Sequence, residues 1–130
     1  MFGPASPVYS TFFQEMIDVI INGGELKLFV DEYRTPVSAI TATQGILTCL
    51  DKVHGIVHLG GVERISRYDF GILLSEVIGS NKADITKLRQ KDIPMAAPRA
   101  RDVSLDSSKA FALGYKSLWL KDELKRLLKK

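Results

Sequence analysis

The run Ile56-Val57-His58-Leu59, closed by Gly55 on one side and Gly60 on the other, restricts the fold more than any other stretch of this chain. Branched apolar residues dominate it and glycines bound it, so it reads as a buried strand. A strand apolar on both faces needs strand neighbours at its edges and cover on both sides. The sequence offers few such neighbours: LKLFV, residues 26 to 30, reads as a short strand, and ITKL, residues 85 to 88, as a possible extended piece. Helical patterns separate these runs, which implies an α/β arrangement with two or three strands and about five helices. That is thin for a complete parallel sheet, and the chain reads as part of something larger.

The helical segments carry their own start and stop signals. Thr11 with Gln14 makes a capping box, and Phe12, Phe13, Met16, Ile17, Ile20 and Ile21 recur at helical spacing until Asn22, Gly23 and Gly24 break the pattern. From about Ser38 to Lys52, Ile40, Ile46, Leu47, Leu50 and Val53 suggest a second helix, which Gly45 weakens slightly. Ser66 with Asp69 caps a third, whose inner face is Phe70, Leu73, Leu74, Val77 and Ile78 and whose end is a left-handed cap at Gly79. Apart from the ITKL piece, residues 80 to 105 read as irregular, with two prolines breaking IPMAAPRARD. Asp106 or Ser107 caps a short helix that Gly114 ends, and Leu120, Leu124, Leu127 and Leu128 stripe the last one.

At 130 residues the chain is one domain in size, with no apolar run of the roughly 18 residues a bilayer requires and no basic-then-apolar leader at MFGPASP. A cytoplasmic location is expected, with no membrane contact. The single cysteine, Cys49, excludes an internal disulfide and reads as a buried small hydrophobe. Charge is divided unevenly: residues 82 to 130 hold thirteen Lys and Arg against six acids, a net of +7, while residues 1 to 81 hold five against nine, a net of −4. The terminal helix KDELKRLLKK alone contains five of the thirteen and reads as a solvated face, so nucleic-acid binding is not favoured.

Five motifs occur in an order with a known counterpart: MFGP, DEYRTPV, GIVHLGG followed by ISRYDFG, APRARDVSLDSSK, and LGYKSLWLKDELKRLL. Together they resemble the carboxyl-terminal, substrate-binding region of extended short-chain dehydrogenases, in particular dTDP-4-dehydrorhamnose reductase and related nucleotide-sugar reductases and epimerases. The resemblance covers nearly the whole chain, residues 1–130. It implies a partial Rossmann-like fold and a nucleotide-sugar ligand, with NAD(P) held by a dinucleotide-binding Rossmann domain that these residues do not include. No cofactor is expected on this chain. The glycine fingerprint of such a domain is missing. Tyr9, Tyr33, Tyr68 and Tyr115 are followed four positions later by Phe13, Val37, Ile72 and Trp119, so the Tyr-Lys pair of the hydride chemistry is missing as well. Gly60 and Gly61 lack a third glycine and read as a tight connection.

The candidate contacts to a nucleotide-sugar are Arg34, Thr35, Arg99 and Arg101. In DEYRTP, Pro36 fixes the backbone and keeps Thr35 extended, which aims Arg34 from a rigid base. The resemblance gives an arginine near this position a contact to phosphate or ribose in the epimerases, although rhamnose-type reductases commonly have glycine there. A turn in which Arg34 pairs with Asp31 or Glu32 satisfies the same residues. In PRARD, Arg99 matches the arginine of the family's Arg-Pro pattern, with Ala100 in place of proline, and Arg99 and Arg101 are spaced to converge on a diphosphate. A basic loop bridged to Asp102 is the plainer reading. His54 and His58 lie too far apart along a strand to share a metal, and His58 reads as a near-core histidine. Tyr115, Leu118 and Trp119 read as core packing beneath the last helix. Two functions remain open: the substrate-binding portion of a nucleotide-sugar reductase or epimerase, inactive alone, or a non-catalytic regulatory module. The latter would self-associate or dock a partner through surface that a Rossmann domain would otherwise cover.

Overall fold

A computed structural model of the chain describes residues 1–3 and 10–129; Pro4 of the MFGP motif and Tyr9 lie outside the described residues. Thr11 caps α1 (Phe12–Asn22) by accepting from the Gln14 backbone N–H at 3.4 Å. The capping box is only half made, because the Gln14 side-chain amide reaches Gly3 O at 2.9 Å and ties the amino-terminal residues down. Gly23, at φ +91°, then turns the chain into β1 (Gly24–Phe29). After β2 (Tyr33–Arg34) and α2 (Ala39–Cys49) come β3 (Ile65–Ser66), α3 (Arg67–Ile78) and β4 (Ala83–Leu88). A 3₁₀ turn at Gln90–Asp92 precedes α4 (Ser108–Ala112) and α5 (Leu120–Leu128). Among the described residues, five helices and few strands agree with the α/β arrangement implied by the sequence.

β1 and β4 pair in parallel, Gly24 opposite Ala83 through Phe29 opposite Leu88. Alternation sets the faces: Leu26 and Leu28 turn inward, while Glu25 and Lys27 turn out and pair at 3.3 Å. Helices α1 and α3 pack on this pair and on each other, and α5 packs on α3. The core is Phe2, Phe13, Met16, Ile20, Leu28, Leu74, Leu120 and Leu124. Helix α3 follows its sequence signals closely. Ser66 Oγ accepts from Asp69 N at 3.0 Å, Leu74 is buried, and Gly79 closes the helix in the left-handed region.

Ile56–Leu59 does not form a strand. No described segment lies alongside to complete a ladder. Val57 and Leu59 turn into a small second core of Cys49, Ala110 and Tyr115, while Ile56 (79 % exposed) and His58 face out. His58 is thus a surface residue and not a near-core one. The orientation of α2 also departs from its pattern. The face it buries is the small one, Thr41, Ala42, Gly45 and Cys49, because the Tyr115 ring lies so close that a Cβ on Gly45 would sit 2.7 Å from it. Its large residues Ile40, Ile46, Leu47 and Leu50 are 44–68 % exposed. Trp119 (64 % exposed) and Leu118 are likewise outside the core, and only Tyr115 packs as expected, stacked on Phe111.

DEYRTPV is the junction of the chain. Tyr33 pairs with Ser66, Tyr33 N donates to Arg101 O at 2.7 Å, and Val103 N donates back to Tyr33 O. Leu105 N reaches Thr35 Oγ1 at 3.1 Å, and Gly61 N reaches Thr35 O at 3.1 Å. Gly61 is needed for this approach, since a Cβ there would lie 2.1 Å from the Pro36 carbonyl oxygen. Asp102 clamps the outer loop: its carboxylate accepts from Arg64 Nε, Ser104 N and Ser104 Oγ at 2.6–2.9 Å, with Arg64 lying over the Tyr33 ring.

Two outcomes are expected. Gly61→Ala forces a methyl against backbone that has no rotamer to change, and should cost about 3 kcal/mol, the upper end of the overpacking range. Urea unfolding measures this, and a variant as stable as the parent would contradict the close approach. Hydrogen bonds from Ser104, with a smaller contribution from Arg64, hold the Asp102 carboxyl down from 3.8 to about 2. A carboxyl depressed in the folded state stabilises the loop fully above its unfolded value and loses that contribution as pH falls from about 4 to about 2. Carbon-detected NMR titration should place the Asp102 midpoint near 2, with Ser104→Ala raising it more than Arg64→Ala does.

Candidate functional site

The DEYRTP segment combines the two local readings of its sequence. Arg34 does pair with Glu32, though loosely at 3.8 Å, and it also donates to Tyr33 O at 2.7 Å. Glu32 is the organising residue. Its side chain is fully buried (0 % exposed), and three arginines from separate parts of the chain gather on it. Arg67 Nε donates to Oε2 at 2.9 Å, Arg99 Nε lies 3.4 Å from Oε1, and Gln90 Nε2 donates to Oε1 at 3.2 Å. The preceding residue, Asp31, accepts from Gln90 N at 3.1 Å and seats the 3₁₀ turn. A carboxylate taken fully out of water requires this density of donors, because burying it unpaired would be prohibitive.

Two clefts flank the cluster. The larger, about 640 Å³, is lined by Phe2, Phe12, Arg34, Thr35, Pro36, Ile65, Arg67, Phe70, Val103 and Leu105 among others, and is apolar apart from its arginines and hydroxyls. The smaller, about 330 Å³, is lined by Phe12, Lys27, Leu28, Phe29, Arg67 and Arg99. Aromatic rings brace two of the guanidinium groups: Arg67 lies 5.0 Å from the Phe12 ring centre and Arg99 lies 5.7 Å from that of Phe29. Such a surround can hold an anion next to an apolar body. Guanidinium forks supply planar donors for phosphate oxygens, and the apolar walls lower the local dielectric.

The structure brings together Arg34, Thr35 and Arg99 of the four sequence candidates, the first two on the large cleft and Arg99 on the small one. Arg101 is exposed and lines neither cleft; its backbone carbonyl, not its guanidinium, is engaged by Tyr33. Asp102 bridges to Arg64 and to neither arginine of PRARD. Glu32, Arg67 and Gln90 were not visible as site residues in the sequence. Arg67 sits inside a helix-start signal, and Glu32 reads as a turn acid until its partners are known. Gly60 and Gly61 are fully used within the protein. Gly60 N donates to Ser107 Oγ at 2.8 Å, Gly60 O accepts from Tyr115 Oη at 3.1 Å, and Gly61 abuts Pro36. They do not fit a dinucleotide cradle, and no other glycine set in the sequence supplies one.

Residues 6–130 match the RmlD substrate binding domain family. No curated protein matches the chain at a significant level. Among solved structures, the dTDP-4-dehydrorhamnose reductase of Clostridium acetobutylicum is similar with a TM-score of 0.80 and 24 % identity, over 93 % of this chain and 44 % of its own. The Bacillus anthracis dTDP-4-dehydrorhamnose reductase, solved with NADP, gives 0.83 at 15 % identity over 98 % of this chain and 45 % of its own. A UDP-glucuronic acid 4-epimerase of Bacillus cereus, in complex with UDP-glucuronic acid and NAD, gives 0.69 at 20 % identity over 92 % and 38 %. The chain therefore spans less than half the length of each of these structures while sharing their fold. With the family matched over nearly every residue, the chain belongs to the RmlD substrate binding domain family.

Proposed function

We propose that this chain is the nucleotide-sugar-binding portion of a cytoplasmic NAD(P)-dependent reductase or epimerase. On this reading it holds its ligand through the diphosphate and is catalytically silent alone. The observation that carries the proposal is the meeting of Arg34 of β2 and Arg99 of the distant PRARD loop at the single carboxylate of Glu32 beside an apolar cleft. Arg34 and Arg99 bind phosphate oxygens, Thr35 offers its hydroxyl at the cleft wall, and Arg101 supplies an outer contact from the exposed loop. The Bacillus anthracis structure was solved with NADP and the Bacillus cereus structure with NAD, which supports a nicotinamide cofactor for a larger enzyme whose dinucleotide-binding domain lies in other residues.

A second reading rests on the exposed apolar stripe of α2. Ile40, Ile46, Leu47 and Leu50 lie at helical spacing on one exposed face of the kind a soluble protein normally covers. On the proposed reading this face seats a dinucleotide-binding domain, and in its absence a second copy of the chain.

Calorimetric titration should show binding of a dTDP- or UDP-sugar and no binding of NADPH. Arg34→Ala and Arg99→Ala should each weaken the sugar nucleotide about tenfold or more, the scale of a charge-assisted hydrogen bond. NADPH oxidation by this polypeptide with a nucleotide-sugar would overturn the claim of silence. For the α2 face, light scattering should show self-association at high concentration that the double substitution Leu47→Lys, Leu50→Lys abolishes. A parent chain that stays monomeric throughout would remove the second-copy occupant.

A further inference from the structure

We infer that Arg67 is the central ligand of a diphosphate site spanning both clefts, and that Glu32 is a positioning residue holding the arginines for it. This inference rests on the diphosphate reading above and adds to it the two residues that no sequence motif assigns. Among the described residues forming the two clefts, Arg67 is the one arginine that lines both, with Arg34 on one side and Arg99 on the other. A ligand touching all three therefore crosses Arg67.

The hydrogen bonding supports this role. Arg67 is held to Glu32 through Nε at 2.9 Å, and its two terminal nitrogens donate to no described residue. Arg99 also approaches Glu32 through Nε, at 3.4 Å, and its terminal nitrogens are equally without a described acceptor. Arg34 directs one terminal nitrogen to Tyr33 O and keeps the other 3.8 Å from Glu32. A guanidinium has five N–H donors, so most of those in the cluster have no acceptor among the described residues. Binding the carboxylate through Nε fixes the plane of the fork and leaves its outer edge, an edge that can grip phosphate in a bidentate manner, without an acceptor among the described residues.

Charge points to the same class of ligand. Three guanidinium groups share one carboxylate, which leaves an excess of two positive charges at the cluster. The carboxylate of Asp31, next in the chain, keeps its charge but is directed to the Gln90 backbone and pairs with none of the three arginines, and Lys27 of the small cleft is paired with Glu25. A diphosphate diester, as found in a nucleoside-diphosphate sugar, carries two negative charges and neutralises the excess, whereas a phosphate diester with one charge does not. The side chains that meet the ligand are 31–48 % exposed, so they are reachable, while the carboxylate that orients them is sealed from solvent.

The test uses inorganic pyrophosphate, which separates the anion site from the sugar reading. Calorimetry on the full chain at low salt should show that pyrophosphate binds more tightly than orthophosphate. Arg67→Ala should weaken pyrophosphate at least tenfold, and Arg67→Lys, which keeps the charge but loses the fork, should recover only part of that. On the unaltered chain, the Arg67 Nε–H NMR signal should shift on addition of pyrophosphate, a readout that does not depend on any variant folding. Arg67→Ala binding pyrophosphate as tightly as the parent, an unmoved Arg67 signal, or no pyrophosphate binding by the parent would each overturn the inference. Pyrophosphate binding through Arg67 with no added affinity for dTDP- or UDP-sugars would uphold it while refuting the nucleotide-sugar reading.

Discussion

The sealed carboxylate of Glu32 is the interaction around which the site is arranged. A buried carboxylate tolerates no local solution, since residues next to it in sequence cannot surround it, and its donors must come from elsewhere. Here they come from the start of α3, from the 3₁₀ turn after β4, and from the PRARD loop. One acid thereby ties together three segments that are distant in sequence. The arrangement contributes little to net stability, because desolvation offsets most of the attraction between the charges. Its effect is geometric, holding guanidinium groups in place that would otherwise wander on flexible stems.

Backbone contacts extend this arrangement outward. The strand pairing of Tyr33 with Ser66 places Arg67 beside Glu32, and Arg67 N itself donates to Glu32 O at 3.1 Å. The bridge between Tyr33 and Asp102 delivers Arg99 three residues upstream, and Gly61 closes against Pro36 so that Thr35 faces the large cleft. The backbone thus sets which arginines can reach the carboxylate, and the carboxylate then sets how they are turned. Either layer alone would leave the forks poorly aimed.

What could be read in the sequence divides along the same line. Helices α1, α3 and α5 were legible because their signals are local: Thr11, Ser66 and Gly79 act within one turn, and periodicity names the buried Met16, Ile20, Leu74 and Leu124. Strand β1 was visible as the short apolar run LKLFV. The face α2 buries was not, because periodicity assumes that the large apolar residues point inward. Here the neighbouring Tyr115 selects the small face around Gly45 and leaves Leu47 outside. The Ile56–Leu59 run failed for a related reason: its composition records a demand for partner strands that the described residues do not meet. Arg34, Thr35 and Arg99 were suggested by motif resemblance, whereas Arg67 and Glu32 become site residues only through pairings across more than thirty positions of chain, which no spacing rule encodes.

The uneven charge along the sequence takes on a different meaning in this light. An acidic first part and a basic last part invite the idea of a basic surface for an extended polyanion. Yet where the two parts meet at the site, the acid Glu32 comes from the first and Arg99 from the second, while Arg34 and Arg67 are cations of the acidic part. Lys121 of α5 pairs with Glu76 of α3 in the same cross-part manner. Charge has been sorted by contact and not by position in the chain. The local excess that results is gathered at one carboxylate beside a walled cleft and is not drawn out along a basic face.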